Sequence, residues 1–116
     1  MGRHENIGFH EASIIEVKQE NQTIRMVLED VYVHIDDQPR DASVCLNGVG
    51  QIICDELPIS ELAMEYQDGE ILTLDLDVRP VLLIVEWRDF EHHRQKTRCY
   101  RIPCETADVH VMPKEA

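Results

Sequence analysis

Residues 69–87 read GEILTLDLDVRPVLLIVEW, from Gly69 to Trp87, two apolar runs separated by a turn's length. Leu72, Leu74, Leu76 and Val78 alternate with Thr73, Asp75 and Asp77. A period of two places the aliphatic side chains on one face of a strand and the polar ones on the other. Val81 to Val85 is apolar throughout, as in a strand covered on both faces or a central strand of a sandwich, and its β-branched residues disfavour a helix. Pro80 has no N–H for a ladder bond and belongs to the connection or to a strand's first position. The stretch is a β-hairpin.

The same pattern stands 57 residues earlier. Ile14, Ile15 and Val17 fall on Ile71, Leu72 and Leu74 without a gap. Ile24, Met26, Val27 and Leu28 then fall on Val81, Leu83, Ile84 and Val85, and Phe9 falls on Tyr66. Beyond the hairpins, Val44 and Leu46 match Tyr100 and Ile102 only with a one-residue slip. Two hairpins with similar loops look alike in any case, so generic likeness is one reading and an internal repeat over 9–65 and 66–112 is the other. The expected fold is all-β: an antiparallel sandwich or partly open barrel, with two similar β-units about a pseudo-twofold.

With 116 residues the chain makes one domain, expected over 9–116 behind a frayed stretch at 1–8. Between them, turns are expected at Glu20-Asn21-Gln22 and Asn47-Gly48, with a bend near Glu29-Asp30. Asp36 to Asp41, charged and broken by proline, reads as a loop. Residues 57–67 fit a helix capped by Ser60 or a strand of Leu62, Met64 and Tyr66. The strand is preferred, with Asp68-Gly69 as its hairpin turn.

Twenty-three acidic against 11 basic residues give a net charge of −12. That opposes binding to phosphate backbones and anionic membranes and suits a basic protein partner. No aliphatic run is long enough to span a bilayer, and MGRHENIGFHEAS lacks the apolar centre of a signal peptide, so a cytoplasmic location is expected. Cys45, Cys54, Cys99 and Cys104 are not spaced as zinc knuckles and are expected to be reduced structural thiols.

No nucleophile elbow or phosphate loop is present, and no cofactor is expected. Asp75 and Asp77 on one strand face, near Glu70 and Glu86, resemble either a divalent-cation row or the wet face of a sheet. His92 and His93 would diverge on a strand, and His10 beside Glu11 is a weak acid–base pair. Trp87, followed by Arg88-Asp89-Phe90, fits an interface anchor or a core cap.

FHEASI (9–14), LEDV (28–31), DGEILTL (68–74) and VEWRDF (85–90) together resemble small bacterial β-domains of unassigned function. Many of these open with F-H-D/E-[AS]-x-I, and some are immunity proteins of polymorphic toxin systems. The resemblance implies a partner-binding, non-catalytic protein and transfers no functional residue. The expected function is a binding module whose acidic face, with Asp75, Asp77, Glu86, Trp87 and Glu91, meets a basic partner. A metal or small-molecule site at Asp75, Asp77 and nearby histidines is the alternative.

Overall fold

The computed structural model describes residues 7–33 and 38–112. Among these residues ten strands form one antiparallel sheet that is not closed into a barrel. They are β1 (Ile7–Gly8), β2 (Ser13–Glu20), β3 (Thr23–Val33), β4 (Gln38–Asn47), β5 (Ile52–Cys54), β6 (Leu57–Ile59), β7 (Asp68–Asp75), β8 (Val81–Asp89), β9 (Arg94–Ile102) and β10 (Thr106–Val111). Their order is β10-β4-β3-β2-β7-β8-β9-β5-β6, with β1 alongside the far end of β3. No helix long and apolar enough to cross a membrane occurs among the described residues.

The two hairpins of the sequence are β2–β3 and β7–β8, and they share one register. Ile14 lies opposite Leu28 and Glu16 opposite Val27, with Ile15 bulged between them. Ile71 lies opposite Val85 and Thr73 opposite Ile84, with Leu72 bulged at the equivalent place. Lys18 opposite Arg25 and Asp75 opposite Leu82 repeat the relation at the other side of each bulge. The third strands match with the one-residue slip: Ile24 faces Leu46, and Val81 faces Ile102. Where the hairpins meet, Ser13 pairs with Glu70, which puts the pseudo-twofold between these two residues.

Each unit completes itself with a strand from the other half of the chain. After β4 the chain crosses to lay β5 beside β9, and after β9 it crosses back to lay β10 beside β4. The exchange interlocks the two units over a single core that includes Ile14, Ile24, Met26, Leu46, Ile71, Leu83, Trp87 and Ile102. Burial along β8 alternates without a break, so only one face of this apolar strand is fully covered. Leu82 and Ile84, within the run, are half-buried.

Several local expectations are corrected. Ile7 and Gly8 pair with Val33 and Tyr32, so the fraying expected over 1–8 does not extend to them, and 1–6 lie outside the described residues. The loop expected at 36–41 is strand from Gln38, with 36 and 37 outside the described residues. Pro39 is tolerated there because β10 stops at the Val111–Ala42 pair and leaves this end of β4 as an edge. Asp68-Gly69 is strand, and residues 60–67 form neither helix nor strand. That segment instead lies against β9, where Arg98 grips Glu65, and Arg94 and Lys96 sit 5.6 and 5.8 Å from the centre of the Tyr66 ring. The bend near Glu29-Asp30 is a bulge between Leu28 and Val31, with Asp30 at φ 62°.

Candidate binding groove beside β6

Side chains from three segments converge at the β6 end of the sheet. Alternation along β9 sets Arg98 and Tyr100 on one face. Tyr100 is buried; its hydroxyl accepts the Trp87 indole N–H at 2.8 Å and donates to Glu65 at 3.4 Å. Arg98 takes the same carboxylate with two nitrogens, at 2.8 and 3.2 Å, and reaches Asp55 with the third at 3.0 Å. Asp55 and Glu56 turn β5 into β6 with φ 50° and 72°, a conformation in which aspartate is tolerated better than most residues. The second oxygen of Asp55 accepts the Cys99 N–H at 2.9 Å. That backbone bond, followed by Arg98, holds the Asp55 carboxyl below the ordinary carboxylate range.

Burial pushes the Tyr100 phenol well above its ordinary range, against the opposing pull of the Trp87 N–H. The phenol therefore stays protonated near neutrality and acts as a hydrogen-bond relay between the core and Glu65.

Above this network lies a groove of about 430 Å³ with an apolar floor of Leu57, Pro58, Ile59, Ala63 and Met64. Leu57 is 68% exposed, the most exposed large hydrophobic residue among those described. Asp55, Glu61 and Glu65 stand on the rim, with Arg98 as the single cation among the described residues. The guanidinium is engaged by Glu65 and Asp55, so the rim remains net negative.

The residues singled out from the sequence do not form one patch. Trp87 is fully buried, which places it in the core and removes it as a surface anchor. Asp75 and Asp77 do not share a strand face: β7 ends at Asp75, and Asp77 lies in the following loop, its N–H bonded to Asp75 Oδ1 at 3.0 Å. Glu86 is half-buried and faces Glu70, with Arg88 bridging them at 2.9 and 3.1 Å. Glu91 is exposed in the β8–β9 turn. Asp77 and Glu91 are thus at opposite ends of β8, whose nine residues span about 26 Å.

Asp75, paired with Leu82, and Asp77 likewise lie toward the opposite end of β8 from His92 and His93. His92 instead bonds the buried Asp89 at 2.9 Å, beside Arg94 at 2.9 Å. Burial alone would raise the Asp89 carboxyl, but hydrogen bonds from Arg94 and His92 outweigh it and bring the pKa down to about 2. His10 Nδ1 meets the Leu72 carbonyl at 2.9 Å, tying the chain ahead of β2 to the bulge of β7. Among the described residues, no group of three or more His, Cys, Asp or Glu is placed to hold a metal ion. All four cysteines are unpaired and half-buried.

Arg98, Asp55, Glu65 and the apolar floor were not singled out by the sequence. Glu65 and Asp55 lie 33 and 43 positions from Arg98, and nothing local signals their meeting. The one usable signal was Leu57-Pro58-Ile59 among acids, an apolar run with no assigned burial. No family model matches the chain, and neither does any curated protein or solved structure.

Proposed function

We infer that the protein is a non-catalytic binding module that takes a basic partner at the groove beside β6. The observation carrying this reading is an exposed apolar floor that includes Leu57, inside a net-negative rim. Exposed apolar clusters rimmed by charge are where protein partners dock. The overall charge of −12 would steer a cation-rich partner toward the protein and disfavour nucleic acid. A partner loop carrying an aliphatic or aromatic residue between Lys or Arg residues fits this groove. The carboxylates with partners here are committed to anchoring turns and strands, which supports binding over catalysis. Together with the resemblance to small bacterial β-domains, this acidity supports an immunity role, in which the groove neutralises a basic toxin.

Selection from a random peptide library tests the reading. Enriched peptides should place Lys or Arg around an apolar residue, bind more weakly as salt rises, and be lost with Leu57→Asp. Neutral or acidic consensus sequences, or binding that survives both Leu57→Asp and Met64→Asp, would contradict it.

A further inference from the structure

The two ends of the sheet are finished differently. β6 has three residues, and Pro58 sits where its N–H would point outward, away from the Ile53 partner. A short edge with proline at the outward donor position is a blunted edge. β10 ends the sheet on the other side with six residues and no proline. The Met112 N–H reaches the Asp41 carbonyl at 2.8 Å, so strand alternation turns the N–H and C=O groups of Ala107, Val109 and Val111 outward. Among the described residues no strand pairs with that side. In the other unit, the strand that completes the exchange, β5, is covered by β6.

We propose that the outward edge of β10 pairs antiparallel with the same edge of a second copy of this chain, about a dyad at Val109. That register puts Val109 opposite its own counterpart and Ala107 opposite Val111, so the three outward residues exchange both of their hydrogen bonds. On the solvent face it puts Asp108 opposite His110 and His110 opposite Asp108, a carboxylate against an imidazole at both positions. The edge is thus complementary to itself in backbone and in side-chain chemistry. A basic peptide would gain the backbone bonds but leave His110 facing a cation.

The pairing is small. A six-residue strand contact falls well short of the roughly 1,200 Å² typical of stable complexes, so a dissociation constant of about tens to hundreds of micromolar is expected. Two chains of charge −12 repel each other at low salt, so the dimer should tighten as salt rises. Binding of a basic partner at the groove should weaken over the same range. The proposal is independent of the groove reading, since Leu57→Asp should leave dimerisation unchanged.

Amide hydrogen exchange by NMR at about 20 µM and about 1 mM protein, with sedimentation at the higher concentration, tests the pairing. The amides of Ala107, Val109 and Val111 should become several-fold better protected at the higher concentration. Those of Asp108 and His110, already bonded to β4, should change little. Val109→Pro, which removes an outward donor and no ladder bond, should abolish the concentration dependence. A monomeric mass at the higher concentration, with exchange at the three outward amides independent of concentration, would overturn the proposal.

Discussion

Ser13 lies directly opposite Glu70, and the two occupy the same position in their respective hairpins. The bonds around them are symmetric in kind: Ile14 pairs with Gly69, while the Ile71 N–H is bonded to the Ala12 carbonyl at 2.8 Å. Ala12 and Gly69 are therefore counterparts, and both are buried. They differ because of what stands over them. A Cβ on Gly69 would lie 2.5 and 2.7 Å from two carbons of the Trp87 ring. The counterpart of Trp87 in the first hairpin is Asp30, exposed in a bulge.

Gly69→Ala should therefore destabilise the domain by about 1–3 kcal/mol, the usual penalty for overfilling a packed core. Ala12→Gly should cost less, since it removes one methyl group and adds chain freedom. Urea unfolding of the two variants checks the order. A smaller loss for Gly69→Ala than for Ala12→Gly would mean that the indole moves aside freely.

Tyr100→Phe removes the acceptor for the buried Trp87 N–H. An unsatisfied buried donor costs about 1–3 kcal/mol, and the loss should appear in the denaturation midpoint. The indole fluorescence should shift little, because the ring stays buried. A Tyr100→Phe protein as stable as the parent would show that the 2.8 Å bond contributes nothing net.

Asp89 makes stability depend on pH at the acid end. Its folded pKa of about 2 lies below that of an ordinary aspartate near 4. The stabilisation is thus fully present above about pH 4 and is lost as pH falls through about 2. Melting temperatures from pH 6 to about 2 should fall less steeply for Asp89→Asn than for the parent, starting from a lower value. Parallel curves would remove Asp89 as a source of the slope.

The four thiols should titrate as four after unfolding without reductant, since all are unpaired. In the native protein Cys54 and Cys104 should alkylate more slowly at neutral pH than free cysteine. Burial is the first cause that raises both thiols and lowers the thiolate fraction. Mass spectrometry after a short iodoacetamide pulse reads this directly. Rapid labelling of Cys54 and Cys104 would contradict it.

The strands were legible where side-chain alternation is enforced by one buried face, and the shared register of 14–28 and 71–85 was visible because a bulge adds the same residue to both hairpins. Residues 60–67 were not. Leu62, Met64 and Tyr66 alternate, but their partners are Gln19, whose side chain accepts the Leu62 N–H at 2.7 Å, and the cations of β9. Asp68-Gly69 has the composition of a turn, yet the glycine answers to the bulk of Trp87, a requirement set by a residue eighteen positions on. The acidic row was misplaced for a related reason. Alternation from Leu72 to Val78 ignores the bulge at Leu72 and the end of β7 at Asp75, where the Asp75 carboxylate accepts the Asp77 N–H in place of a ladder partner.

Chemical-shift mapping locates where a basic apolar ligand sits on the protein. A short peptide with a leucine between lysines is titrated into isotope-labelled protein at low salt. Shifts should concentrate at residues 54–65 and 98–100, fade as salt rises and be absent from Leu57→Asp. Shifts centred on Asp75 and Asp77 or on Glu91, or an even scatter over all acidic surfaces, would contradict binding at the groove.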